Sequence, residues 1–266
     1  MSIIDAIILG LLQGLTEFLP VSSSGHLELG SVFLGIAGKD NLLFSVLVHG
    51  ATALSTILVF RKDIFTLIRD LFQFKLNEST LYVLKLALSM VPVGIVGLLW
   101  ESEIEAFFGG KVIFVSAMLM ITALLLTLSH FVSTNSNQAK DVSFFRAVVI
   151  GIAQAFALLP GVSRSGATIS TALLLGTDKT KAARFSFLMV LAPITGATLL
   201  KVKDLIDSPL TSNGTGSLPF IAGFLAAFIS GVIACKWMIR IVKKGQLIYF
   251  AIYCFVLASI VMFNYW

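Results

Sequence analysis

The chain has 266 residues, of which 57% are apolar and only 12% charged, with a formal net charge of +5. Soluble domains carry about twice that share of charge, roughly 25%, so a soluble sphere of this composition would expose most of its Leu and Phe to water. An ordinary cytosolic enzyme, a disordered chain and a nucleic-acid binder are excluded, and the surplus of Lys and Arg matters through the side of a membrane on which it falls.

Taken in chain order, the N-terminal MSIIDAIILG has no basic region and carries Asp5, so it does not read as a cleaved signal peptide. The first apolar stretch, 3–37, is interrupted by PVSSSGH at 20–26. Three runs follow at 42–60, 82–100 and 112–129, each near the roughly 20 residues that a helix needs to cross a bilayer. A second interrupted stretch, 144–176, contains PGVSRSG at 160–166, and three more runs follow at 185–200, 218–235 and 247–266. The runs are continuous rather than alternating, which excludes a β-barrel. Cys235 and Cys254 lie inside apolar runs and read as packing residues without a disulfide. The segments 133–141 and 207–217 read as polar loops.

Each interruption places Pro, Ser and Gly where a helix cannot continue regularly. Irregular backbone at membrane depth persists only where protein or a water-filled cavity satisfies its polar groups. The two interruptions are also related. A shift of 141 positions pairs Gly10 with Gly151, Gln13 with Gln154, Val21–Ser22 with Val162–Ser163, and Ser24–Gly25 with Ser165–Gly166. The same shift pairs Leu34–Gly35 with Leu175–Gly176 and Phe44–Ser45 with Phe185–Ser186; Gly50–Ala51–Thr52 answers Gly196–Ala197–Thr198 after five residues of slippage. The expected fold is an all-α polytopic membrane protein, one integral-membrane domain over 1–266. Six transmembrane helices and two re-entrant helix–loop–helix hairpins form two inverted-topology repeats, approximately 1–132 and 142–266.

If both hairpins turn back, thirteen Lys and Arg fall on one side and four (Lys39, Lys111, Lys201 and Lys203) on the other. The positive-inside rule makes the first side cytoplasmic and favours re-entrance of the second hairpin; the first follows by analogy with its repeat, which puts both termini outside. Three spans per half invert the second repeat, so the hairpin tips meet near the midplane, a geometry in which half-helix N-termini face an anionic ligand.

The tips carry the chemistry. Gln13 and Glu17 share a helix face, and an intramembrane carboxylate is a functional candidate by default. Ser22, Ser23, Ser24, Gly25 and His26 precede a helix expected at 27–34; Ser163, Arg164, Ser165 and Gly166 precede one at 167–175. Helix N-termini bind anions, and a guanidinium suits phosphate oxygens. Glu17 and His26 are acid–base candidates, Ser23 a nucleophile (with water as the alternative), and Arg164 the cation for the transferred group. Gln13, Ser22, Ser24, Gly25, Ser163, Arg164, Ser165 and Gly166 are the candidates for binding the phosphate groups. One deep carboxylate does not build a two-metal cage, but it leaves room for a single divalent cation, Mg²⁺ or Ca²⁺, on Glu17 and substrate phosphates. His49 is placed mid-span without an assigned role, His130 at an interface, and Glu101, Glu103 and Glu105 on a solvated face. Lys85 snorkels or pairs.

The strings QGLTEFLPVSSSGH (13–26) and LLPGVSRSGATIS (158–170) resemble the two signature regions of bacterial undecaprenyl-diphosphate phosphatases of the BacA type, with similarity from about Ile3 to Phe263. This chain has the Gln form of the first motif at Gln13, Ser24 where many members have Thr, and His49 where many have Gln. The resemblance implies an enzyme of the bacterial cytoplasmic membrane, open mainly to the outer face. It would hydrolyse a C55 polyprenyl diphosphate to the monophosphate and phosphate for cell-wall synthesis, with a divalent cation, and thereby confer bacitracin resistance. Expected partners are that lipid and the surrounding membrane lipids, not nucleic acid; pairing as a homodimer is left open. A secondary transporter or lipid flippase, or a non-enzymatic lipid-binding protein, has the same expected architecture.

Overall fold

The computed structural model describes residues 1–35, 39–108, 111–131, 140–207 and 217–265, with the side chains of 39–42, 201–202 and 204–207 left aside; most of the two expected polar loops lies outside these ranges. The described residues form α1 (Ile3–Phe18), α2 (Ser23–Phe33), α3 (Lys39–Val59), α4 (Arg61–Leu71), α5 (Glu78–Leu99), α6 (Glu101–Glu105), α7 (Val112–Phe131), α8 (Phe144–Phe156), α9 (Arg164–Leu174), α10 (Lys179–Met189), α11 (Leu191–Asp207), α12 (Ser217–Lys244) and α13 (Ile248–Tyr265). Five passes are long and apolar enough to span a bilayer: α5, α7, the joined α10–α11 over Lys179–Leu200, α12 and α13. Helix α3 and α4, which leaves it at 75°, make a sixth if the bent pair is counted as one span. Outward Leu124, Ile152, Ile233 and Phe255 present apolar surface suited to lipid. The protein is an all-helical, multi-pass membrane protein.

Local chemistry sets the ends of the interrupted helices. Ser2 and Asp5 cap α1 reciprocally, Asp5 N donating to Ser2 Oγ at 3.1 Å and Ser2 N to Asp5 Oδ2 at 2.9 Å. That helix stops at Phe18 because Leu19 precedes Pro20 and takes extended backbone, φ −70°, ψ 142°. The next helices start earlier than the sequence suggests: α2 at Ser23 rather than 27, and α9 at Arg164 rather than 167. The reason is that Ser22 and Ser163 are the N-caps, so the polar residues behind them lie in the first helical turn. Two further boundaries differ. The pass expected at 185–200 begins at Lys179, capped by Asp178, and α12 runs on to Lys244, ending where Gly245 takes φ +70°. Helix α4 has no counterpart in the sequence reading.

Small residues bring the helices together. Helix α1 lies along α12 and α8 along α5. A Cβ on Gly10 would sit 2.3 Å from the Gly223 carbonyl oxygen, and one on Gly151 would sit 2.2 Å from that of Ser89. Such close approach replaces hydrophobic driving force, which lipid does not supply between helices. Helices α7 and α13 pair with each other, and Arg184 of α10 ties α4 to α5 through Asp63 at 2.6 Å and the face of Tyr82 at 5.2 Å.

Gly151→Ala is expected to destabilise the fold by about 1–3 kcal/mol through overpacking. Gly94→Ala, whose Cβ meets nothing within 4 Å, is expected to stabilise it by about 0.5–1 kcal/mol. Thermal unfolding of the two purified variants in one detergent checks the contrast.

Candidate active site

Both interruptions are built alike. Ser22 Oγ accepts from Gly25 N at 3.3 Å and lies 3.3 Å from Ser24 Oγ. Ser163 Oγ accepts from Gly166 N at 3.1 Å and lies 3.4 Å from Ser165 Oγ. The two segments touch: Ser165 Oγ donates to the Leu19 carbonyl at 3.2 Å, and a Cβ on Gly25 would meet Gly161 Cα at 3.2 Å. Gly161, at φ +98°, lets its segment press against α7, where a Cβ would sit 2.3 Å from the Val115 carbonyl oxygen. Thr122 of α7 holds this turn, its Oγ1 accepting from Ser163 N at 2.9 Å and reaching the Gly161 carbonyl at 3.2 Å.

Glu17, on the last turn of α1, is gripped from both sides. Its Oε2 accepts from Gln13 Nε2 at 2.9 Å and from Ser23 Oγ at 2.7 Å; its Oε1 lies 3.4 Å from Arg164 Nη1. Ser23 and Arg164 are the first residues of α2 and α9, so two helix N-termini, with their positive dipole ends, frame one carboxylate. The Glu17 side chain is 7% exposed and that of Arg164 27%, so the guanidinium keeps an open face. His49 adds an imidazole, Nε2 standing 3.9 Å from Glu17 Oε2 and Nδ1 2.8 Å from the Ser45 carbonyl.

Of the sequence candidates, Gln13, Glu17, Ser23 and Arg164 meet directly, while Ser22, Ser24, Gly25, Ser163, Ser165 and Gly166 make the two caps. The Gly25 and Gly166 amides, expected to face a ligand, donate to cap hydroxyls instead, which leaves anion binding to the amides of the first two helical positions. His26 is joined to this group through Ser22, but its ring nitrogens face elsewhere: Nδ1 lies 2.8 Å from the Ser22 carbonyl and Nε2 2.8 Å from Tyr253 Oη. The sequence reading gave no role to His49 and missed Thr122 and Tyr253. Their only signal there is a polar group inside an apolar run. His130 is exposed at the end of α7, as are Glu101, Glu103 and Glu105 around α6, and both cysteines are free and buried.

Among the described residues, no three His, Cys, Asp or Glu side chains cluster as a metal cage. The oxygen donors at the site are the Glu17 carboxylate and Gln13 Oε1, which is buried without a hydrogen-bond partner. That set suits a hard cation only when ligand oxygens complete the shell.

Fold and site together define a polytopic helical membrane protein whose charged centre is assembled from two interrupted helices. The model of the family described as "Bacitracin resistance protein BacA" matches residues 6–260, and the chain belongs to that family. It is similar to proteins named undecaprenyl-diphosphatase. That of Christiangramia forsetii is 55% identical over 265 residues, 98% of each chain. That of Bacteroides fragilis is 52% identical over 250 residues, 94% of this chain and 93% of the relative. That of Methanobrevibacter smithii is 38% identical over 274 residues, 98% and 97%.

Thr122→Val, which keeps the shape but orphans the buried Ser163 amide, is expected to cost about 1–3 kcal/mol. Thr122→Ser, which restores the hydroxyl, should recover most of that loss in the same thermal-unfolding measurement.

Proposed function

We propose that this chain hydrolyses undecaprenyl diphosphate to undecaprenyl phosphate and inorganic phosphate, recycling the lipid carrier of cell-wall synthesis and conferring bacitracin resistance by removing the diphosphate form. The observation that carries the reading is the Glu17 carboxylate held between the first residues of α2 and α9. A diphosphate entering there takes over the guanidinium of Arg164, whose planar fork matches phosphate oxygens, together with the amides that open both helices.

Glu17, released from Arg164, then serves as the base for Ser23, whose hydroxyl already points at it from 2.7 Å. The Ser23 oxygen forms a bond to the terminal phosphorus, the bridging P–O bond breaks, and undecaprenyl phosphate leaves. Water then attacks that phosphorus, the P–Oγ bond breaks, Ser23 Oγ takes back the proton held by Glu17, and the proton lost by the water passes to the emptied carboxylate. Arg164 offsets the charge that gathers on the equatorial oxygens. His26, whose ring nitrogens meet the Ser22 carbonyl and Tyr253 Oη, exchanges a proton through Nε2. Glu17 and Gln13 Oε1, with substrate oxygens, would hold a divalent cation, Mg²⁺ or Ca²⁺; bound there, it would supply Lewis-acid polarisation of the phosphoryl group.

The membrane arrangement belongs to the same proposal. The two halves, about 1–132 and 142–266, are inverted repeats, each a re-entrant hairpin followed by three spans. Matched caps at Ser22 and Ser163 support this, as do left-handed glycines at Gly35 (φ +64°) and Gly176 (φ +75°) after the two hairpin helices. Matched glycine contacts at Gly10 and Gly151 support it too. The side with thirteen Lys and Arg faces the bacterial cytoplasm, and the site opens mainly outward.

Purified protein in detergent is expected to release phosphate from C55 prenyl diphosphate, with the rate falling on addition of chelator. Arg164→Ala should lower kcat by about 10²–10³-fold and Glu17→Gln by about 10²–10⁴-fold. Release at the wild-type rate by Ser23→Ala would assign the attack to water. No release from any prenyl diphosphate would put a transporter or flippase in place of the hydrolase.

A further inference from the structure

We propose that Tyr253 is a positioning residue for His26: its phenol fixes the imidazole in one tautomer and occupies the nitrogen through which that imidazole exchanges its proton. The assignment deepens the hydrolase reading and rests on it where turnover is concerned. The Ser22 carbonyl 2.8 Å from Nδ1 can only accept, so Nδ1 carries the hydrogen. In a neutral ring Nε2 is then the acceptor, and the phenol 2.8 Å away is its donor. The two ring planes are also within 14° of parallel, with centroids 5.7 Å apart, so the phenol meets the imidazole close to its own plane and helps set its orientation from α13.

Burial gives this contact its consequence. His26 is 6% exposed, so its Nε2 is covered by the Tyr253 phenol and loses that cover when the hydroxyl is removed. The phenol is held in place because α13 docks beside the same turn, the thiol of the adjacent Cys254 reaching the Pro20 carbonyl at 3.8 Å. A helix of the second half thus buttresses the first interruption, as Thr122 of α7 buttresses the second.

The test compares wild type with Tyr253→Phe, which keeps the ring, and Tyr253→Leu, which removes it. Both are expected to fold, because the side chain is exposed, and thermal unfolding checks this. Both should lose about 10-fold or more in kcat with KM within about twofold. Carbethoxylation of His26 by diethyl pyrocarbonate, read by peptide mass mapping, should run about threefold faster or more in Tyr253→Phe because Nε2 is uncovered. A Phe variant with wild-type kcat and unchanged His26 labelling, while only the Leu variant fails, reduces Tyr253 to packing and overturns the proposal. If wild-type protein releases no phosphate, the hydrolase reading falls alone; labelling then decides, and no acceleration in Tyr253→Phe overturns the Tyr253 assignment.

Discussion

The arrangement depends on one buried carboxylate. Removing Glu17 from water is costly, and its cost is offset by Gln13 from its own helix, by Ser23 opening α2 and by Arg164 opening α9. These last two groups are 141 positions apart in sequence, so the charge is balanced only when both interruptions close on each other. Folding and assembly of the site are therefore one event. A chain in which either interruption is displaced leaves an unpaired charge inside an apolar body.

Everything behind that contact serves to hold two broken helices still. The glycine approaches of α1 to α12 and of α8 to α5 fix the two interrupted helices against their neighbours. The serine caps turn each break into a helix start by taking up the Gly25 and Gly166 amides, and Thr122 and Tyr253 reach in from the paired helices α7 and α13. The same inventory supports the anion binding proposed for the site. A single carboxylate faces a guanidinium, the His49 imidazole and two positive helix ends.

The spans were legible because 20-residue apolar runs have few other uses, and the interruptions were legible because Pro, Ser and Gly cannot continue such runs. Glu17 and Arg164 were legible as candidates because charge is scarce at depth. Helix starts were misplaced by three or four residues, since a run of serines does not announce which hydroxyl turns back to cap. Helix α4 was missed because its five cations and acids among 11 residues (Arg61, Lys62, Asp63, Arg69 and Asp70 interleaved with Phe65 and Ile68) hide an apolar face inside a polar average. The direction of the His26 ring was not legible at all. It depends on Tyr253, more than two hundred positions away, and a tyrosine in an apolar run carries no mark of what it touches.

Ser22 carries a further consequence. Its backbone sits at φ 68°, ψ 95°, a conformation that costs a residue with a Cβ about 1–3 kcal/mol. Glycine would relax it, yet glycine has no oxygen to receive the Gly25 amide. The protein thus retains a less stable residue where a more comfortable one exists, and selection for thermal robustness alone would drift toward the change that dismantles this turn.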